Sequence, residues 1–120
     1  MKVYISGPMT GILEKNFPAF EAMEAHLNTI PGIEALSPHR EELQNPGVSP
    51  TWVDFMRKDI TLLMKCDVLL LLEGWEKSVG AELEVHIAKA LSIPVLYDWF
   101  GWADQERRLL LLLSQQEPLS

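Results

Sequence analysis

Apolar and polar positions along the chain fall into short blocks of two alternating periods. "KVYIS" (Lys2 to Ser6) is a β-branched and aromatic run that stops at "GPMTG", which predicts a first strand closed by a Gly- and Pro-punctuated turn. "NFPAFEAMEAHLNTI" places Phe20, Met23 and Leu27 at helical spacing behind Pro18 in the first turn, which predicts a helix. "IEALSP" reads as a weaker second strand and "HREELQNPGVS" as a polar loop. Thr51 and Asp54 fit a capping box ahead of the helix "WVDFMRKDITLLMK". "CDVLLLL" is a continuous apolar run, the pattern of a strand buried on both faces of a parallel sheet. The helix "VGAELEVHIAKALS", the strand "IPVLYDW" and the helix "DQERRLLLLLSQ" follow. Strand and helix alternate throughout, predicting a doubly wound α/β fold, Rossmann- or flavodoxin-like, with four or five mainly parallel strands.

Composition narrows the picture to one domain spanning residues 1–120, because 48% of 120 residues are hydrophobic, enough for one core. Ten basic residues face seventeen acidic ones, and a net charge of -7 repels a phosphate backbone, so duplex nucleic acid is not an expected partner. A small anion at a helix N-terminus remains compatible with that charge. Cys66 is the single cysteine, and His26, His39 and His86 are well separated, so no metal-ligand spacing is present and no cofactor is expected. The start "MKVYISGPMTG" does not read as a signal peptide and no run is long enough for a membrane span, so a cytoplasmic protein without membrane contact is expected.

Ligands of doubly wound sheets bind at the carboxyl ends of the strands near the switch in strand order, which nominates "SGPMTG", "SPHRE" and "GWEKSVG". The last of these leads into a helix with two glutamates two residues apart. At about 100° per residue, Glu82 shares a face with His86 and Lys89, whereas Glu84 shares one with Ile87, Ala88 and Leu91. Glu82 reads as a solvated residue. Glu84 reads either as a functional carboxylate, since an acid on an apolar face is costly without a role, or as a first-turn residue meeting the helix dipole.

Asp59 lies between Met56 and Leu63 on a stripe that includes Trp52, and it reads either as functional or as a partly exposed ion pair. Asp54 is placed to pair with Lys58, and Asp67 to cap backbone at the start of the buried strand. Ser78 before Gly80 suits an anion site and an N-cap equally. Trp75 is the tryptophan best placed to stack on a base, against the ordinary alternative of a core residue. The run Leu109 to Leu113 is too continuous for one buried stripe and suits either a neighbouring subunit or the chain's own core.

"VYISGPMTG", "RKDITLLMKCDVLLLL" and "SVGAELEVHIAKALSIPV" together resemble the nucleoside 2-deoxyribosyltransferase superfamily, which includes deoxynucleotide N-glycoside hydrolases. The likeness covers residues 1 to about 97 and is strongest to a branch of small phage and bacterial proteins with a "GPMTG" start. It implies that Glu84, four residues after Gly80, is the nucleophile, that Asp59 is the second acid, and that Tyr4 is the first-strand tyrosine. It further implies that the first loop, Gly7 to Gly11 with Pro8 and Met9, holds the 5' end of the substrate together with Ser78; Tyr4, Gly80 and, from its place in the candidate loop, Trp75 complete the expected substrate-binding residues. Ser78 stands where the nucleotide hydrolases carry a phosphate-binding serine; Val85-His86 replaces the usual Leu-Gly, and the first loop has no Arg.

The implied activity is cleavage or transfer at the N-glycosidic bond of 2'-deoxynucleoside 5'-monophosphates or nucleosides, through a glycosyl-enzyme ester and without metal or organic cofactor. A nucleotide-binding protein that retains the pocket without turnover is the alternative. The family also implies a homo-oligomer.

Overall fold

Four consecutive residues, Val68–Leu71, are buried at every position, so this strand must be covered on both faces. In the computed structural model, which describes residues 1–9, 13–39, 51–97 and 101–116, it lies near the middle of a sheet of four parallel strands. These are β1 (Lys2–Ser6), β2 (Glu34–Leu36), β3 (Val68–Leu71) and β4 (Val95–Tyr97), ordered β2-β1-β3-β4. Tyr4 faces Leu36 on one side and Leu69 on the other, and Ser6 faces Leu71. The expected α/β fold is therefore present, with all pairings parallel among the described residues.

The helices are α1 (Phe17–Leu27), α2 (Trp52–Met64), α3 (Val79–Ala90) and α4 (Gly101–Gln115). Strand alternation sends Val3 and Ile5 to one face, where they join Phe20, Met23 and Leu27 of α1 and Leu109 of α4. Tyr4, Leu69 and Leu71 point to the other face, against Leu63 of α2 and Val85 and Ala88 of α3. Local chemistry sets the starts of both helices on that face. The expected capping box forms on α2, where Thr51 Oγ1 accepts from Asp54 N at 3.2 Å and Asp54 Oδ2 accepts from Thr51 N at 3.0 Å. Ser78 caps α3, its Oγ accepting from Ala81 N at 3.1 Å. Asp67 ties β3 to β1, as its Oδ2 accepts from Lys2 N at 2.8 Å while its own N–H donates to Lys2 O at 2.8 Å.

Some expectations shift. Trp52, the first residue of α2, is 51% exposed and does not continue the buried Met56–Leu63 stripe. Asp54 is engaged by Thr51, whose hydrogen bonds hold its carboxyl below the usual range, while Lys58 contributes only as a nearby charge. His39, assigned to a polar loop, is fully buried beside Phe17 and Phe20 and hydrogen-bonded through Nδ1 to Ser37. The final helix starts at Gly101, ahead of the expected Asp104. Within it Leu109 and part of Leu112 and Leu113 enter the chain's own core, whereas Leu110 and Leu111 stay exposed.

Candidate active site

The chain leaves β1 toward β2 and returns to β3 on β1's other side, so the switch in strand order lies between β1 and β3. The loops leaving these two strands touch. A Cβ on Gly7 would lie 2.8 Å from Leu72 Cβ, and one on Gly74 would lie 3.4 Å from Pro8 Cγ. Gly7 is thus needed for a close approach of the two chain segments, and Gly74 adopts φ 86°, a backbone state that suits glycine. Met9 turns toward the α1 and α4 core, and Pro8 is buried. Gly11 lies outside the described residues.

Beneath these loops, on the α2 and α3 face, Glu84 is 5% exposed and accepts a hydrogen bond from Ser6 Oγ at 3.0 Å on Oε1. Ser6 is the residue that the sequence reading missed. Its signal was present in the period of β1, since residues 4 and 6 of a strand share a face, and Tyr4 was already a candidate. Glu82, two residues from Glu84, is exposed with His86 and Lys89. Helical geometry therefore separates the two acids as expected, with Val85 and Ala88 instead of the exposed Leu91 completing the buried face.

Burial pushes the Glu84 carboxyl up to about 7, assisted by the negative charge of Asp59 and opposed by the hydroxyls of Tyr4 and Ser6. Tyr4, fully buried, is raised well above the usual phenol range by its own burial and by the charges of Glu84 and Asp59. The two side chains are neighbours: the Tyr4 hydroxyl lies close enough to favour the ionised carboxyl, yet neither Tyr4 Oη nor Glu84 Oε2 has a partner at hydrogen-bond geometry. Tyr4, Ser6, Asp59 and Glu84 thus form one electrostatic group, contributed by β1, α2 and α3. Asp59 is half-buried and accessible to solvent on one side. Cys66 also borders this face, but burial pushes its thiol up to about 11, so it is a neutral thiol at neutral pH.

The other candidates surround the group at differing depths. Gly80 is buried where α3 crosses α2, and a Cβ there would lie 3.0 Å from Met56 Sδ, so its small size serves helix packing. Trp75 is half-buried, its ring centroid 5.7 Å from that of Tyr97 and its Nε1 enclosed without a hydrogen bond. Ser78 is half-buried at the α3 N-terminus; because its Oγ accepts from Ala81, its own proton remains available to a ligand. Among the described residues no three His, Cys, Asp or Glu side chains are grouped to hold a metal ion. No helix there is long and apolar enough to cross a membrane.

Comparison with solved structures reproduces the architecture. A 2-deoxyribosyltransferase from the psychrotolerant bacterium Bacillus psychrosaccharolyticus superimposes with a TM-score of 0.65 at 17% identity, over 81% of this chain and 71% of that one. A conserved protein from Enterococcus faecalis V583 gives 0.64 at 22% identity, over 93% of this chain and 74% of that one. At these identities the likeness is one of fold. No curated protein sequence matches the chain. The family model described as "Domain of unknown function (DUF4406)" matches residues 1–97, from β1 through β4, and the chain belongs to that family.

Proposed function

We propose that the protein cleaves or transfers the N-glycosidic bond of 2'-deoxynucleosides, preferentially as 5'-monophosphates, with Glu84 as nucleophile. The observation that carries this reading is the enclosed Glu84 carboxylate at the switch point, held on one oxygen by Ser6 and unsatisfied on the other. A carboxylate so placed is poorly solvated and is ionised only above about pH 7, which makes it reactive toward an electron-poor carbon. The fold shared with a 2-deoxyribosyltransferase supports the same choice of chemistry.

In the first step a carboxylate oxygen of Glu84 bonds to the anomeric carbon as the carbon–nitrogen bond breaks, and the bonding pair leaves with the base. The departing base takes up a proton by way of Asp59, which relays it from solvent. The transition state is oxocarbenium-like, so the Glu84 charge below the ring stabilises it before the bond is complete. Water then attacks the anomeric carbon and releases Glu84, its proton passing to Asp59; a second base in place of water gives transfer. Ser78 and the N-terminal amides of α3 bind the 5'-phosphate, consistent with the donor that the Ser78 cap leaves unused.

The test is chromatographic detection of free base from a panel of deoxynucleosides and their 5'-monophosphates. Wild type releases base, Glu84→Ala loses at least ~10³-fold in rate, and Glu82→Ala retains it. Ser78→Ala raises KM for monophosphates more than for nucleosides. Nucleotide binding without any base release by wild type would overturn the catalytic reading in favour of a binding protein, and equal activities of the two glutamate variants would remove Glu84 from its role.

A further inference from the structure

The two oxygens of the Glu84 carboxylate have different surroundings. Oε1 accepts the Ser6 hydroxyl at 3.0 Å, whereas Oε2 is enclosed and makes no hydrogen bond. Ser6 is itself 1% exposed, and its backbone is fixed by the sheet: it pairs in register with Leu71, and its carbonyl accepts from Leu72 N at 2.8 Å. An ionised carboxylate only accepts, so with Glu84 charged the proton must come from Ser6. This donor therefore approaches from a rigid strand, 78 residues away in sequence, and addresses one oxygen alone.

We propose that Ser6 is a positioning residue that fixes Oε1 of Glu84 and thereby assigns Oε2 as the atom that bonds to the anomeric carbon, an assignment that rests on the glycosidic reading above. When Oε2 forms the ester, Oε1 becomes its carbonyl oxygen and keeps the Ser6 hydrogen bond. Negative charge leaves the carboxylate during glycosylation and returns during resolution. A hydrogen bond to a charged oxygen is about twice as strong as one to a neutral oxygen, so the Ser6 bond weakens in the first step and strengthens in the second. Ser6 therefore makes Glu84 a better leaving group when water or a second base attacks the sugar. The same donor favours the ionised carboxyl, against burial and the negative charge of Asp59, both of which raise it. Tyr4 is the other titratable group facing Glu84, and it also favours ionisation.

The experiment titrates the Glu84 side-chain carboxyl by carbon-13 NMR in wild type, Ser6→Ala and Ser6→Thr, with melting curves to establish that each variant is folded. In Ser6→Ala the midpoint should rise by about one pH unit, a roughly tenfold change in proton affinity, and Ser6→Thr, which keeps a hydroxyl, should return it toward wild type. In base-release assays Ser6→Ala should shift the acidic limb of the pH profile upward by the same amount. Well above both midpoints it should lower kcat by about tenfold and accumulate glycosyl-enzyme, because the step that regenerates the carboxylate loses its donor. An unmoved midpoint in folded Ser6→Ala would overturn the proposal, as would equal rises in folded Ser6→Ala and Ser6→Thr, which would assign the effect to packing. Where Thr does not fit, Ser6→Cys, a weaker donor, should fall between wild type and Ser6→Ala, and a Cys variant at the Ala value would count against the hydroxyl. The titration uses no substrate, so absence of base release by wild type would reject the glycosidic reading while the midpoints still decide whether Ser6 governs Glu84.

Discussion

The two sides of β1 are one residue apart in sequence and differ in kind. Val3 and Ile5 join the apolar side chains of Phe20, Leu27 and Leu109, and buried His39 packs against Phe20. Tyr4 and Ser6, on the other side, meet Glu84 and lie within the field of Asp59. One strand of five residues thus anchors the core on one face and presents a polar group on the other. The difference teaches that an apolar anchor and a buried polar group can be separated within a single strand by its period of two, so each side should answer to its own substitutions.

The largest expected effect breaks the apolar side. Ile5→Ala removes a fully buried side chain and should lower unfolding free energy by about 2–5 kcal/mol in denaturant titrations, with the Glu84 midpoint unchanged while the protein is folded. A shift of that midpoint would mean that the two sides are coupled.

Glu84→Gln tests the polar side through pH. The carboxyl titrates near 4.5 when unfolded and near 7 when folded, so the folded state binds the proton more tightly between these values. The contribution of Glu84 to stability is therefore largest below about pH 4.5, falls as pH rises toward 7, and is constant above it, a change of up to about 3 kcal/mol. Gln does not ionise, so the variant should lack this slope and equal or exceed wild type at pH 8 while losing base release. A parallel pH dependence in wild type and variant would place the slope elsewhere.

Tyr4→Phe should be the mildest in stability and the converse of Ile5→Ala. The hydroxyl is enclosed without a hydrogen bond, so its loss should change unfolding free energy by no more than about 1 kcal/mol. The Glu84 midpoint should nevertheless rise, because Tyr4 opposes the effect of burial on that carboxyl. A large loss of stability with a fixed midpoint would reverse the division between the two sides.

Much of this arrangement was legible in the sequence because it depends on local periodicity. The continuous apolar run before Leu72 announced a strand covered on both faces, and Thr51 with Asp54 announced the start of α2. Helical angle separated Glu84 from Glu82 by face, while its expected role as nucleophile came from the family resemblance. Ser6 was missed because its partner lies 78 residues away, and only the sheet register joins them. Burial of His39 was equally hidden, since its aromatic neighbours Phe17 and Phe20 belong to α1 and no polar pattern near His39 records them. Gln105, fully buried on α4 with both amide atoms unsatisfied, lies between the charged residues Asp104 and Glu106, so nothing in its local sequence marks its burial. Long-range pairings of this kind follow from topology and side-chain reach, which short windows do not carry.

The central claim is that Glu84 forms the bond to the sugar. Mass spectrometry of wild type incubated with a 2'-fluorinated 2'-deoxynucleoside 5'-monophosphate, whose fluorine slows resolution of an oxocarbenium-like step, tests it directly. The expected result is a mass increase of one glycosyl phosphate, mapped to the α3 peptide at Glu84 and absent from Glu84→Gln. An adduct on Asp59 or Glu82, or base release that persists in Glu84→Gln without any adduct, would contradict it.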